Sequence, residues 1–135
     1  VTHMFAPPPN SIIDDSGHIL PEVMAARRRG VRFDLGNGRA GHLRWDIAES
    51  VLKAGFLPDA ISSDVHITSI DGPAFDLLTT MSKFLCMGMN LSDVIKTSTA
   101  NAAFALKRPE LGSLKPGSAG DATVLSVDGG TTMAA

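Results

Sequence analysis

Ile61-Ser62-Ser63-Asp64-Val65-His66, read ISSDVH, is the stretch that decides the fold of this chain. A Pro58-Asp59 turn leads into the short apolar run Ala60-Ile61, which delivers a carboxylate and an imidazole to the point where a strand ends and a loop begins. In proteins of alternating strands and helices, groups that do chemistry collect at such strand ends.

Upstream of that stretch, Val31-Arg32-Phe33-Asp34-Leu35 alternates with a period of two and predicts a strand whose charged positions face a polar interior or a site. Gly36 to Gly41 is loop, and Leu43, Ile47, Val51 and Ala54 recur at helical spacing until Gly55 stops the helix. Nearer the start, Val1-Thr2-His3-Met4-Phe5 is extended. Pro7-Pro8-Pro9 makes the following segment loop, and Pro21 opens a helix that Gly30 ends. Downstream, Asp64 to Pro73 is loop, and a helix from about Asp76 to Met87 buries Leu77, Met81, Phe84 and Leu85. Asn90 caps another helix, with Asp93 in the capping-box position. After Ala105 the texture changes: Leu111 to Gly117 predicts a short strand and a Pro-Gly turn, Ala122 to Val127 a second strand, and Gly129 to Ala135 a loose end.

Thr2, Arg32 and Ala60 thus begin successive strand-loop-helix units about 30 residues apart. A (β/α)8 barrel of roughly 250 residues has that spacing. The expected fold class is α/β, with residues 1–110 forming about three units of such a barrel and residues 111–135 a separate small β-domain. Three units cannot close a barrel, so both sheet edges need cover from further strands or a second copy.

Composition excludes several classes. The chain is 44% apolar and 19% charged, as an ordinary globular protein is. A formal net charge of -2 leaves no footprint for nucleic acid, and the one basic run, Arg27-Arg28-Arg29, reads as a solvated helix end. No apolar stretch approaches the roughly 20 residues of a membrane span, and no signal-peptide pattern opens the chain. The single cysteine, Cys86, lies in the run FLCMGM and reads as a buried thiol in a reducing, cytoplasmic setting.

Each strand carries a metal-ligating or acid-base residue at or near its end: His3, Asp34 and Asp64, with His66 just beyond. In a barrel all strand C-termini meet on one face, so these residues share one pocket. An imidazole and a carboxylate suit zinc, which lowers the pKa of bound water to about 7. Singly, a strand-end Asp is more often a turn-former than a ligand. His18 and His42, in a polar loop and at a helix start, read as surface residues. A rival pattern is Gly36-x-Gly38-x-x-Gly41, a literal GxGxxG between a strand and a helix, which would make the chain a dinucleotide-binding half-domain. Arg32 and Asp34 in the preceding strand, and the bulk of Asn37 and Arg39, count against it.

The runs VTHMF, LPEVMAARRRGVRFDLGNG, GFLPDAISSDVH, GPAFDLLTTMSKFLCMGMNLSDVI, TANAAFAL and RPELGSLKPGSAGDATVL together resemble the C-terminal part of an amidohydrolase-superfamily metallohydrolase of the dihydroorotase-like amidohydrolase and deacetylase group. The resemblance implies a barrel holding one or two divalent metals, usually zinc, that hydrolyses amide or ester bonds of a small acylated substrate. It implies His3 as a metal ligand, Asp64 as metal ligand and general base, and His66 as a residue near the substrate. It also implies a small β-domain after Leu111.

Two departures qualify that likeness. Related sequences commonly read GHG where this chain has Gly36-Asn37-Gly38. The His-x-His, the carboxylated lysine and the further histidine of the earlier strands have no counterpart, so the resemblance implies a C-terminal fragment that is inactive alone. Two protein ligands hold a metal poorly, so little tight zinc binding is expected of the isolated chain.

Overall fold

In the computed structural model, which describes residues 1–129, three extended segments lie side by side in the order 1–5, 31–38, 60–63. The Asp34 amide donates to the Val1 carbonyl at 2.8 Å and the Met4 amide to the Asp34 carbonyl at 3.3 Å. Leu35 donates to Ala60, Asn37 to Ser62 and Gly38 to Ser63, at 3.0, 3.0 and 2.9 Å. The central segment is therefore held on both sides.

The expected strands are realised only as isolated bridges among the described residues: Phe5 with Leu43 and Asp34 with Ala60, both parallel, and Ile13 with Ile19, antiparallel. Each segment is short and the outer two have a neighbour on one side, so the evenly spaced bonds of a parallel ladder do not accumulate. The β-domain expected from Leu111 does not form over residues 111–129, which contain neither helix nor strand. Residues 124–127 line the edge of the cleft formed by Leu78, Met81, Leu91 and Val94, with Val124 and Val127 still exposed. The end of the expected loose tail, residues 130–135, lies outside the described residues.

Among the described residues five helices alternate with and then follow the extended segments: α1 Pro21–Arg28, α2 Trp45–Lys53, α3 Leu77–Cys86, α4 Leu91–Ser98 and α5 Ala100–Ala105. Pro21 occupies the first turn of α1, where its missing N–H costs nothing. Asp76 caps α3 by accepting from the Thr79 amide at 2.6 Å. Asn90 caps α4 by accepting from the Asp93 amide at 2.9 Å, and its own amide donates back to the Asp93 carboxylate at 2.6 Å. No helix among the described residues is long and apolar enough to cross a membrane.

The core joins the segments to the helices through Phe5, Phe33, Leu35, Val51, Phe84 and Val94. α3 buries Thr80, Met81 and Phe84, whereas Leu77 is 38% exposed and Leu85 only half-buried. Thr80 goes inward because it receives the buried Asn37 amide. Cys86, expected in the core, is exposed, because it stands two residues from Phe84 and so on the opposite side of the helix. Within the basic run, Arg28 and Arg29 are solvated but Arg27 is not. Its guanidinium lies 3.5 Å from the Phe56 ring centroid and donates to Asp59 at 3.0 Å and to the Leu57 carbonyl at 2.8 Å.

Candidate metal centre

His3 lies within the first extended segment and Asp64 follows the last, and both adopt left-handed backbone, with φ of 56° and 49°. Side-chain-bearing residues hold that conformation only where their surroundings impose it. For His3 the constraint is the Gly36 carbonyl oxygen, 2.8 Å from Nδ1. A carbonyl only accepts, so Nδ1 carries the proton and Nε2 of the neutral ring keeps its lone pair.

Asp34 ties the two ends together. Its Oδ2 accepts from Thr2 Oγ1 and from Ser62 Oγ, both at 2.8 Å, and Ser62 Oγ also accepts the Gly36 amide at 3.1 Å. One carboxylate thus links the neighbour of His3 to the stretch that carries Asp64, without itself entering the ligand cluster.

The third member of the cluster is His42, which sequence reasoning assigned to the surface. Its ring lies 3.9 Å from that of His3, centroid to centroid, and its Nδ1 stands 3.5 Å from Asp64 Oδ2. That nitrogen is buried and has no hydrogen-bond partner. Burial lowers the His42 pKa below the ordinary imidazole value, and the neighbouring His3 lowers it further against the opposing pull of Asp64. That lowering favours the neutral ring, the form that ligates metal. The signal that would have found it is topological: loops that follow barrel strands gather on the same rim as the strand ends.

Ligand atoms of His3, His42 and Asp64 all lie within 4.8 Å of one another, the one such triad of His, Cys, Asp or Glu among the described residues. Two imidazoles and a carboxylate are a donor set suited to zinc, and the unpartnered His42 Nδ1 is what a divalent cation would satisfy. Two glycines make the close approach feasible. At Gly36, φ +55°, a Cβ would overlap Thr2 Oγ1 and stand 2.7 Å from His3 Nδ1; at Gly38, φ +46°, it would overlap Asp64 Oδ2 and His42 Nδ1. A cleft of about 610 Å³ opens beside His3 and His42, its far wall built by Pro7, Pro8, Pro9 and Asn10.

The remaining candidates lie elsewhere. The His66 ring turns onto its own loop, Nδ1 lying 3.0 Å from Thr68 Oγ1 and 3.3 Å from the Thr68 amide. His18 lies beside Asp14, 81% exposed. The GxGxxG reading loses its first turn, because the amides of Gly36, Asn37 and Gly38 are spent on Ser62 and Ser63 and cannot cradle a pyrophosphate.

The chain as a whole is similar to known proteins. The amidohydrolase family profile matches residues 18–133. A deacetylase of Brucella anthropi is 33% identical over 127 residues, covering 94% of this chain and 31% of that protein. A deacetylase of Agrobacterium fabrum is 32% identical over the same length, with the same coverage. A deacetylase of Enterococcus faecalis is 30% identical over 129 residues, covering 94% of this chain and 35% of its own. The chain therefore spans about a third of the length of these curated relatives. Among solved structures, an adenine deaminase superposes with a TM-score of 0.81 at 31% identity, covering 87% of this chain and 33% of the other. A dihydroorotase superposes with a TM-score of 0.66 at 34% identity, covering 78% and 29%.

Proposed function

This chain belongs to the amidohydrolase family, and from that premise we propose that it supplies the metal-binding rim and general base of an enzyme that hydrolyses acyl amide or ester bonds. What carries the reading is the meeting of His3 and Asp64 on one rim, with a cleft lined by His3 and His42. The names of the curated relatives favour a small acyl group, acetyl above all, on nitrogen or oxygen. The dihydroorotase likeness adds a cyclic amide to the range.

A divalent ion of the zinc class, bound there, supplies Lewis-acid polarisation of the acyl carbonyl and acidifies water. The protein's own part is positional and acid-base. His3 presents Nε2 because Gly36 holds Nδ1. Asp64 takes a proton from the attacking water and returns it to the departing amine or alcohol. At 41% side-chain exposure it is open to solvent for that exchange. His66, on the loop that follows Asp64, flanks the substrate as it enters.

Three extended segments bring part of a barrel, and hydrolysis needs strands that supply the remaining walls, whether from the same polypeptide or from a partner. The 135-residue chain alone is accordingly inactive. The test is acyl hydrolysis, with N-acetyl amino acids and O-acetyl esters in the presence of zinc, by this chain co-expressed with the N-terminal two thirds of a related deacetylase. Turnover in the assembled protein and none after Asp64→Asn is expected. Undiminished turnover with Asp64→Asn would sink the assignment of the base.

A further inference from the structure

Resting on the reading that His3 and Asp64 face a metal, we infer that His42 is a third protein ligand and that this chain by itself holds one zinc-class divalent ion with a fourth position open. The family resemblance supplies only His3 and Asp64 from this part of the chain. The third donor comes from the fold.

Three observations converge on His42. Its Nδ1 is buried, unpartnered and 3.5 Å from Asp64 Oδ2. Two donors each about 2.0–2.1 Å from zinc and at tetrahedral angles stand about 3.3 Å apart, so that separation is already close to the distance a shared ion requires. The backbone behind them is bare by necessity, since any Cβ on Gly38 would occupy the space of the same two atoms. The loop that carries His42 is tied down at both ends, with the Gly38 amide on the Ser63 carbonyl at 2.9 Å and the Arg44 amide on the Phe5 carbonyl at 3.0 Å.

The same loop explains why this imidazole comes from position 42. Asn37, nearer the start of that loop, turns its side chain away from the rim. Asn37 is 1% exposed, donates to Thr80 Oγ1 at 3.1 Å and lies 3.4 Å from Lys83 Nζ. The imidazole that reaches the rim comes from the far end of the same loop. With three protein donors instead of two, the set matches a catalytic zinc site, which keeps its fourth position for water or substrate.

The experiment strips the 135-residue chain of metal with chelator and titrates it with zinc against a chromophoric competitor, then with cobalt while recording its visible absorption. The variants are His42→Phe, which keeps a ring without a donor, His42→Asp, which restores a short oxygen donor, and His18→Ala as a control away from the site. Wild type and His18→Ala bind one equivalent. His42→Phe binds at least about 10–100-fold more weakly, the cost of losing even a supporting partner of a ligand, and His42→Asp recovers part of that loss. Wild-type affinity in His42→Phe, or no stoichiometric binding by wild type, overturns the inference. If Asp64→Asn abolishes hydrolysis in the assembled enzyme while His42→Phe leaves metal binding intact, the proposed function stands and this inference falls. If metal binding depends on His42 in an assembly that hydrolyses no acyl bond, this inference stands and the proposed function falls.

Discussion

His3 Nδ1 donates to the carbonyl oxygen of Gly36 at 2.8 Å, and the same glycine passes its amide to Ser62, two residues before Asp64. A single backbone unit of the middle segment therefore aims the imidazole of one neighbour and anchors the carboxylate-bearing stretch of the other. Metal ligands are commonly oriented through such supporting bonds.

The glycines of this loop should be separable by substitution. Gly36→Ala and Gly38→Ala introduce a left-handed alanine and overlap site atoms, and each should lower stability by at least about 2 kcal/mol and weaken zinc binding. Gly41→Ala, φ +94° with nothing within 4 Å, should cost about 1–2 kcal/mol and leave zinc affinity as it was. Denaturation and zinc titration of the three variants check this, and equal effects at 38 and 41 would contradict it.

Metal should couple to folding. At a hundredfold excess over its Kd, zinc should stabilise wild type by about 2.7 kcal/mol. Chelator should reverse the gain, and His42→Phe should show little of it at the same zinc concentration. Thermal melts with and without zinc provide the comparison.

Asp59 should set part of the acid limit of stability. Burial by itself would raise its carboxyl pKa, but the Phe33 amide together with Arg32 and Arg27 holds it below the ordinary value. The folded state then binds the proton less tightly than the unfolded chain. The stabilisation is complete above the unfolded value of about 3.9 and is lost as pH falls through the lowered folded value. Asp59→Asn should cost about 1–3 kcal/mol at neutral pH and flatten the acid limb. Urea midpoints measured across that range test it, and an unchanged acid slope would count against it.

Lys83 should act at the alkaline side. Burial lowers its pKa, and its ammonium is held by the Pro73 carbonyl at 2.6 Å and Asn37 Oδ1 at 3.4 Å, with no carboxylate partner among the described residues. The unfolded chain keeps that proton to higher pH, so stability should rise as pH climbs from the lowered folded value toward the ordinary lysine value of about 10.4. Lys83→Met should abolish that rise and change stability at neutral pH by no more than about 1 kcal/mol. A rise that persists in the variant would rule out Lys83 as its source.

Local signals determined the helices and the segment ends. Asp76 and Asn90 mark helix starts by bonds that close within a few residues, Pro21 by its fixed φ, and Ile47 and Val51 mark a buried face by period alone. The placement of His3 and Asp64 on the first segment and just after the third was equally legible, because parallel units of about 30 residues bring such positions to one rim. What only tertiary structure decided depends on contacts between distant residues. His42 looks like a polar loop residue until Gly38 settles on Ser63 and draws the loop over Asp64. Arg27 looks solvated until Asp59 and Phe56 arrive beside it. Val124 to Val127 look like a strand until they meet the cleft between α3 and α4 instead of another strand. Caps and periodicity are set by near neighbours and can be read from the chain. Loop trajectories are set by which distant backbone groups accept their amides, and only the folded molecule specifies those partners.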